Sequence, residues 1–511
     1  MGQVLGHRCC ATLLWFKPAK HGEDYRPYHL YRRKAEVLEL LGRLEEVERV
    51  HRRNAQWAEA AGNLTALAAS RRSLGETMVG TGDFSRAVLE LQRARDLAGS
   101  MKDEAGMAEA EMQMGRALIR QGDYKKGLDH LYRALEIHDK NGSRYGMAKT
   151  FNNLGIAYWN QSEFLKALEQ YRRSLEISQE LGDLRSVNIA AGNIGLLYWT
   201  MGQFAPAMEW LQKKLALSRQ TGDEISLGYA LGNLGLVYLD TGQPDQALEF
   251  FRQHYDLCER QGDKSGKARA LNNMGLVHVR SGRYDKALAM FTAYLELATL
   301  IGEKKGMALA NGNIGDVHYS TGNYAVAKEF VERQLQIAES MEDRRLTANA
   351  LFNLARIRQE TGEASQALSL AGRAEAMYRA IENAGELLDT LNIKARLLLE
   401  LGRTEEAGNC NQEALLRMTN DLPAENRLET RLIEASVTAA SEKDKGRQLI
   451  AKLKSEFNEP KHLGETCYEA YLLFGEEKDR REALQSLSGL YKSIPSAQYA
   501  RKIRALKGEV A

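Results

Sequence analysis

Proline is scarce, seven residues in 511, so long helices can run without the lost donor and ring clash that break a helix interior. Cysteine is scarcer still. Five cysteines, an odd number without close metal spacing, exclude a disulfide framework and point to a reducing compartment, with the cytoplasm as the expected location. An excess of one charge is missing too: 70 basic residues are interleaved with 68 acidic ones and no long basic run occurs, which excludes the electrostatic footprint of a nucleic-acid binder. No apolar run is long enough to span a membrane, and the stretch from Ala11 to Phe16 is shorter than a signal-peptide core. Met1-Gly2 with Cys9 and Cys10 resembles a lipidation signal, but Gly6 stands where Ser or Thr is needed, which leaves an unstructured leader as the plainer reading. Apolar residues make up 44% of the chain, near the globular average, and predict a folded protein.

What the chain has is glycine at a fixed interval. Gly42, Gly82, Gly122, Gly202, Gly242, Gly282, Gly322, Gly362 and Gly402 recur every 40 residues, with Ser162 in the one gap. A period of this size marks one supersecondary unit copied along the chain, too small to bury its apolar face alone and stable only when stacked on its neighbours. Seven residues before each turn stands a second small residue, from Gly75 through Gly155, Gly235 and Gly315 to Ala355 and Ala395. Five residues after the turn comes alanine, as at Ala87, Ala167, Ala207 and Ala247. Glycine inside a helix costs about 1 kcal/mol relative to alanine, so its repeated placement predicts close approach of two helices, with the alanine column as the other half of the contact.

Between these markers the apolar spacing is helical. Leu154, Tyr158, Leu165, Leu168, Tyr171 and Leu175 recur mostly at three and four, and no stretch alternates with period two. Each unit reads as two helices. The second opens at Phe164, Phe204, Tyr284 or Tyr324 and stops at a Gly-Asp pair such as Gly182-Asp183 or Gly262-Asp263, where glycine caps one helix and aspartate the next. Pro206 and Pro244 fall in the first turn of a second helix, where a missing N–H does no harm.

The pattern Asn153-Leu154-Gly155 with Tyr158, then a turn, then Phe164, Ala167 and Tyr171, resembles the tetratricopeptide repeat. Its 40-residue length and Gly-Asp linker are similar to the long-helix variety found in kinesin light chains, spindle-orientation adaptors and the sensor regions of bacterial regulators. The resemblance implies an all-α fold, a right-handed superhelical solenoid of antiparallel helix pairs. Residues 1–23 fit no repeat and are expected to be an irregular leader; 24–421 hold ten 40-residue pairs; 422–511 hold two degenerate pairs and a capping helix. Pro423, Pro460 and Pro495 each stand at a plausible helix start, and the last helix is expected near Ser496 to Leu506.

Residues that resemble chemical motifs have structural readings. Gly262 to Lys267 has one residue too few for a phosphate loop and falls on the ordinary inter-repeat linker. His278 and His318 occupy the column held elsewhere by Tyr158, Tyr198 and Tyr238, which predicts packing in place of metal ligation, and Cys410 and Cys467 have no His or Asp partner in the repeat pattern. The expectation is a chain without catalytic, metal or cofactor residues.

One column points to binding. Asn153, Asn193, Asn233, Asn273, Asn313 and Asn353 follow one another at mid-helix, where asparagine is a mediocre helix former unless its amide is bonded. In proteins that this chain resembles, the matching position faces the concave groove and grips a ligand's backbone, for which an amide carries both a donor and an acceptor. Alternatively each amide bonds the neighbouring repeat and fixes the superhelix. Residues three and seven positions on share that face: Ile156, Leu196, Leu236 and Leu276 give way to Asp316 and Arg356, with Arg280 and Glu360 in the outer column. Trp159 and Trp199 either border the apolar end or pack between repeats. The resemblance therefore implies a non-enzymatic scaffold holding a protein or peptide partner, or alternatively the sensor region of a larger bacterial signalling ATPase, kinase, cyclase or transcription regulator. Oligomeric state is left open.

Overall fold

The computed structural model describes residues 31–35, 37, 38, 44–381, 383–419, 422 and 424–509. The expected leader, the lipidation reading at Met1-Gly2, Cys9 and Cys10, and the helix start at Pro423 lie outside the described residues. The fold is all-α: 24 helices follow one another from Leu44–Ala60 to Ala497–Lys507, and no strand occurs among the described residues. Within each of its two compact units every helix packs on the next, and first helices of successive pairs also touch. The chain divides into two compact units, one ending at Asp223 and one beginning at Glu224.

Local chemistry sets the helix ends. The helix Leu184–Thr200 starts behind Gly182, at φ +66°, and Asp183, whose carboxylate accepts from the N–H groups of Arg185 and Ser186 at 3.2 Å. Helices open at Phe164, Phe204, Tyr284 and Tyr324, as the aromatic column predicts, and Pro244 is the first residue of Pro244–Gln261. The glycine comb marks a backbone conformation more than a residue type: Ser162, in the gap of the series, adopts φ +60° itself.

The small column is a packing seam. A Cβ on Gly155 would lie 2.5 Å from the Tyr171 ring, one on Gly235 2.5 Å from Phe251, and one on Gly275 2.4 Å from Phe291. The partner is thus the large residue 16 positions later, and not mainly the alanine column that the sequence suggests; those alanines, Ala87, Ala167 and Ala247, are fully buried in their own right. Where the small column grows to Ala355, its partner shrinks to Ala371, keeping the seam filled.

The end of the second unit departs from the repeat. Pro460 opens the helix Pro460–Phe474, and Ser496 caps Ala497–Lys507. This last helix buries Leu506 against Cys467, Ala483 and Leu487. It also reaches back along the unit: Arg501 pairs with Glu360, and a Cβ on Gly322 would lie 3.1 Å from that of Ala497.

Candidate functional site

In the first unit, three successive first helices, Glu104–Gln121, Arg144–Asn160 and Leu184–Thr200, line a groove of about 400 Å³. Asn152, Asn153 and Ile156 of the middle helix line it, as do Tyr145 and Ile189, whose side chains are exposed. Arg116, Lys149 and Arg185 also line it, and no carboxylate does. Arg116 donates to the Gln113 amide oxygen at 2.7 Å, and the Lys149 ammonium lies over the Tyr145 ring at 4.8 Å. None of the three is ion-paired with a described carboxylate. Glu76 and Glu109 act on this end from outside the lining; burial pushes the Glu76 carboxyl up, Glu109 adds to that, and Arg72, Arg116 and Lys149 oppose it.

The asparagine column divides. Asn193 donates to the Asn152 side chain of the preceding repeat at 2.8 Å, and Asn313 does the same to Asn272 at 2.7 Å. Asn353 accepts from Arg356 at 3.3 Å, and Asn273 accepts a long 3.5 Å contact from Asn272. The side chains of Asn153 and Asn233, each half-buried, have no hydrogen-bond partner among the described residues. Two amides therefore tie neighbouring repeats through side chains, while two others are unbonded. Trp159 is half-buried and packs against the cluster of Ala167, Tyr171 and Ile194; Trp199 is half-buried as well.

In the second unit the charged positions on this face are paired with one another. Arg280 meets Asp240 at 2.8 Å, and Arg356 meets Asp316 at 3.5 Å while lying over the Tyr319 ring at 4.2 Å. Arg396 bridges Glu429 at 2.7 Å and Glu469 at 2.8 Å. Burial pushes Glu429 up, but Arg396 overrides it and holds the carboxyl below its usual range.

A further set of residues escaped the sequence reading. One position before the asparagine column stand Gly192, Gly232 and Gly312, and 22 residues after each is a long polar side chain, Lys214, His254 and Gln334. A Cβ on Gly192 would lie 2.9 Å from the Lys214 chain, and one on Gly312 would lie 2.7 Å from the Gln334 amide. All three polar residues are at least nine-tenths buried. The signal was present in the sequence as a second, intermittent glycine column 22 residues before Lys214, His254 and Gln334.

Other candidates resolve structurally. Gly262 caps one helix at φ +70°, Asp263 caps the next by accepting from the Gly266 N–H at 2.9 Å, and Lys267 pairs with Glu259, so this segment is a linker. His278 is buried and His318 stacks on Phe330 at 5.9 Å; burial lowers the pKa of both. Burial pushes the Cys410 thiol up to about 11 and the Cys467 thiol up to about 12, which keeps both protonated and unreactive. Cys467, Asp479 and Glu482 stand close enough to share a cation, but the Lys454 ammonium already bonds Asp479 there.

Known proteins bear on this arrangement. The sequence matches the tetratricopeptide-repeat family over residues 106–180, 146–220, 226–299 and 306–380. No curated protein matches the chain by sequence. Among solved structures, it is similar to a STAND protein with a tetratricopeptide-repeat sensor from Pyrococcus horikoshii, at 17% identity and TM-score 0.47, over 71% of this chain and 54% of that one. It thus spans about half the length of that protein. It is also similar to the quorum sensor NprR from B. thuringiensis, at 17% identity and TM-score 0.49, over 67% of this chain and 99% of that one. A third similar structure is aspartyl phosphate phosphatase F from Bacillus subtilis, at 14% identity and TM-score 0.48, over 68% and 93%. The repeat pattern, the filled glycine seam and a family match over more than half of its residues agree: the chain belongs to the tetratricopeptide-repeat family.

Proposed function

We propose that this chain is a non-enzymatic interaction scaffold that holds a peptide segment of a partner protein in the groove of its first unit. The observation that carries this reading is the groove itself: an unbonded amide at Asn153 lines it together with two exposed apolar side chains, Tyr145 and Ile189. An extended peptide needs both kinds of contact. The Asn153 carboxamide matches one peptide unit's C=O and N–H, and Asn193, already bonded to Asn152, holds the neighbouring amide in register. Hydrogen bonds alone are too weak, at about 0.5 to 1.5 kcal/mol net each. Micromolar affinity requires about 8 kcal/mol, so burial of Tyr145 and Ile189, at about 1.5 to 3 kcal/mol for each side chain, has to supply much of it.

The test is affinity capture from the source cells with wild-type protein and with a Tyr145→Ala, Asn153→Ala, Ile189→Ala variant, followed by mass spectrometry and by titration of the captured segment. The reading expects a partner retained by the wild type and lost by the variant, which melts at an unchanged temperature. Equal capture by both proteins would place binding elsewhere.

A further inference from the structure

The helix Ala497–Lys507 does more than a terminal cap requires. A cap has only to cover the last pair, and Leu506, the one buried side chain of this helix, does so against Cys467, Ala483 and Leu487. Lys502 pairs with Glu465 of the same pair. The start of the helix is held elsewhere. The residues that lead into it lie against the turn at Gly282, where a Cβ would meet Ile494 Cα and Pro495 Cδ at 3.1 Å and the Ser493 carbonyl oxygen at 3.2 Å. A Cβ on Gly322 would meet that of Ala497 at 3.1 Å. At the other comb glycines, Gly82, Gly122, Gly202, Gly242, Gly362 and Gly402, it would meet nothing within 4 Å.

Arg501 completes this contact. It pairs with Glu360, the last residue of the helix Arg344–Glu360, 141 residues earlier. The Glu360 side chain is only 9% exposed and also accepts from the Tyr319 and Tyr324 hydroxyls at 3.3 and 3.2 Å, so donors from three helices converge on one carboxylate. A carboxylate this enclosed needs its cation. The cation is less enclosed: the Arg501 side chain is 44% exposed, and what surrounds it is an edge of two glycine turns with little apolar area to hold a helix in place. The contact is therefore specific at Glu360 and weak around it.

We infer that the last helix is a releasable clasp, which closes the second unit on itself through Arg501 and Glu360 and occupies in cis an edge that a partner's basic helical segment takes when the clasp opens. The inference is independent of the groove in the first unit. The edge suits such a segment because Gly282 and Gly322 let a backbone come close, while Glu360 offers one enclosed carboxylate to one arginine. Closed, the clasp joins the helices from Arg344 to Ser493 at both ends and holds them at one curvature. Opened, the same helices form a linear stack whose curvature is set by nearest neighbours alone.

The experiment uses the full chain with Cys9→Ser and Cys10→Ser, and with Gly322→Cys and Ala497→Cys placed across the 3.1 Å contact, close to the span of about 3.5 to 4.5 Å between the Cβ atoms of a disulfide. Cys258, Cys410 and Cys467 are buried, and Ser162 shows that the comb position accepts a side chain at positive φ. Under mild oxidation the intrachain disulfide is expected to form, and to form at least about tenfold more slowly once Arg501→Glu is added. A fluorescein-labelled peptide of residues 493–509 then probes the edge. It should bind the full chain carrying Arg501→Glu alone at least about tenfold more tightly than the wild type, and the disulfide-locked chain not at all. Ala497→Arg, which wedges the Gly322 contact and leaves Glu360 untouched, should admit the peptide in the same way and serves where Arg501→Glu folds poorly. Failure of the disulfide to form, or equal rates with and without Arg501→Glu, overturns the clasp. Peptide binding that ignores the lock, or that is missing from both opened variants, overturns the docking edge.

Discussion

The first-helix faces of the two units are built from the same column of asparagines and the same glycine seam, yet their charges are used differently. Before Asp223, the groove cations Arg116, Lys149 and Arg185 stand without carboxylate partners. From Glu224 on, Arg280, Arg356 and Arg396 are each bridged to an acidic residue of another helix, and the terminal helix adds Arg501 on Glu360. A cation that has its carboxylate has little left to offer an acidic ligand, while one that lacks it retains most of its attraction. On the first-helix face, then, the second unit's arginines are taken up by carboxylates of other helices, while the first unit's groove cations are not, although its other faces carry inter-helix pairs such as Arg71 with Glu90.

The comparison can be broken most directly at Arg396. Arg396→Ala leaves Glu469, whose side chain is 9% exposed, without its cation, and should cost the second unit about 3 kcal/mol or more. All five tryptophans precede Asp223, so tryptophan fluorescence reports the first unit alone while circular dichroism reports both. The variant should show an early loss of helical signal with no matching fluorescence change; coincident transitions would show that the two units do not unfold independently.

The seam should behave alike in both units. Gly155→Ala and Gly235→Ala each force a methyl group against an aromatic ring and should each destabilise by about 1 to 3 kcal/mol. Adding Phe251→Ala to Gly235→Ala should restore part of the room, so the double variant should lose less than the sum of the singles in thermal melts. Additive losses would show that Gly235 does not meet Phe251.

A smaller effect separates bonded from unbonded asparagines. Asn193→Ala removes the hydrogen bond to Asn152 and should cost about 1 kcal/mol, whereas Asn153→Ala should leave denaturant midpoints unchanged. Equal losses would mean that Asn153 is also structural.

Acid should distinguish the units by degrees. Burial lowers the His51 pKa from 6.5 to about 4, so this histidine is neutral when folded; the stability it confers is complete above 6.5 and is lost as pH falls toward 4. In the second unit the Arg379 hydrogen bond holds Glu413 down, from 4.5 to about 2, so its contribution persists above 4.5 and disappears as pH falls toward 2. Fluorescence should therefore respond before the last of the circular dichroism signal is lost. The reverse order would contradict this assignment of the buried histidine.

Much of this was legible in the sequence because it depends on neighbours close along the chain or one repeat away. The glycine period, the Gly-Asp caps and the aromatic helix starts are local, and a 40-residue repeat turns each local rule into a column that can be counted. Even the seam was recoverable: Ala355 with Ala371, against Gly155 with Tyr171, shows sizes that compensate at a fixed offset. The sequence reading chose the alanine column as the partner because that column is the more regular, whereas the contact is made by the residue that fills the most space.

Tertiary structure alone decided where the polar groups end. Asn153 and Asn193 are indistinguishable as letters in a column, and one is bonded while the other is unbonded because only Asn193 has an amide on the preceding repeat within 2.8 Å. The pairing of Arg501 with Glu360 joins residues 141 apart that no repeat period relates. Lys214 has the letter of a surface residue on a second helix, and is buried because glycine at 192 leaves room for its side chain. Apolar periodicity specifies which face of a helix is covered, since burial is roughly proportional to area and indifferent to direction. Hydrogen bonds and ion pairs need particular atoms at particular distances, and those are set only when the helices have stacked.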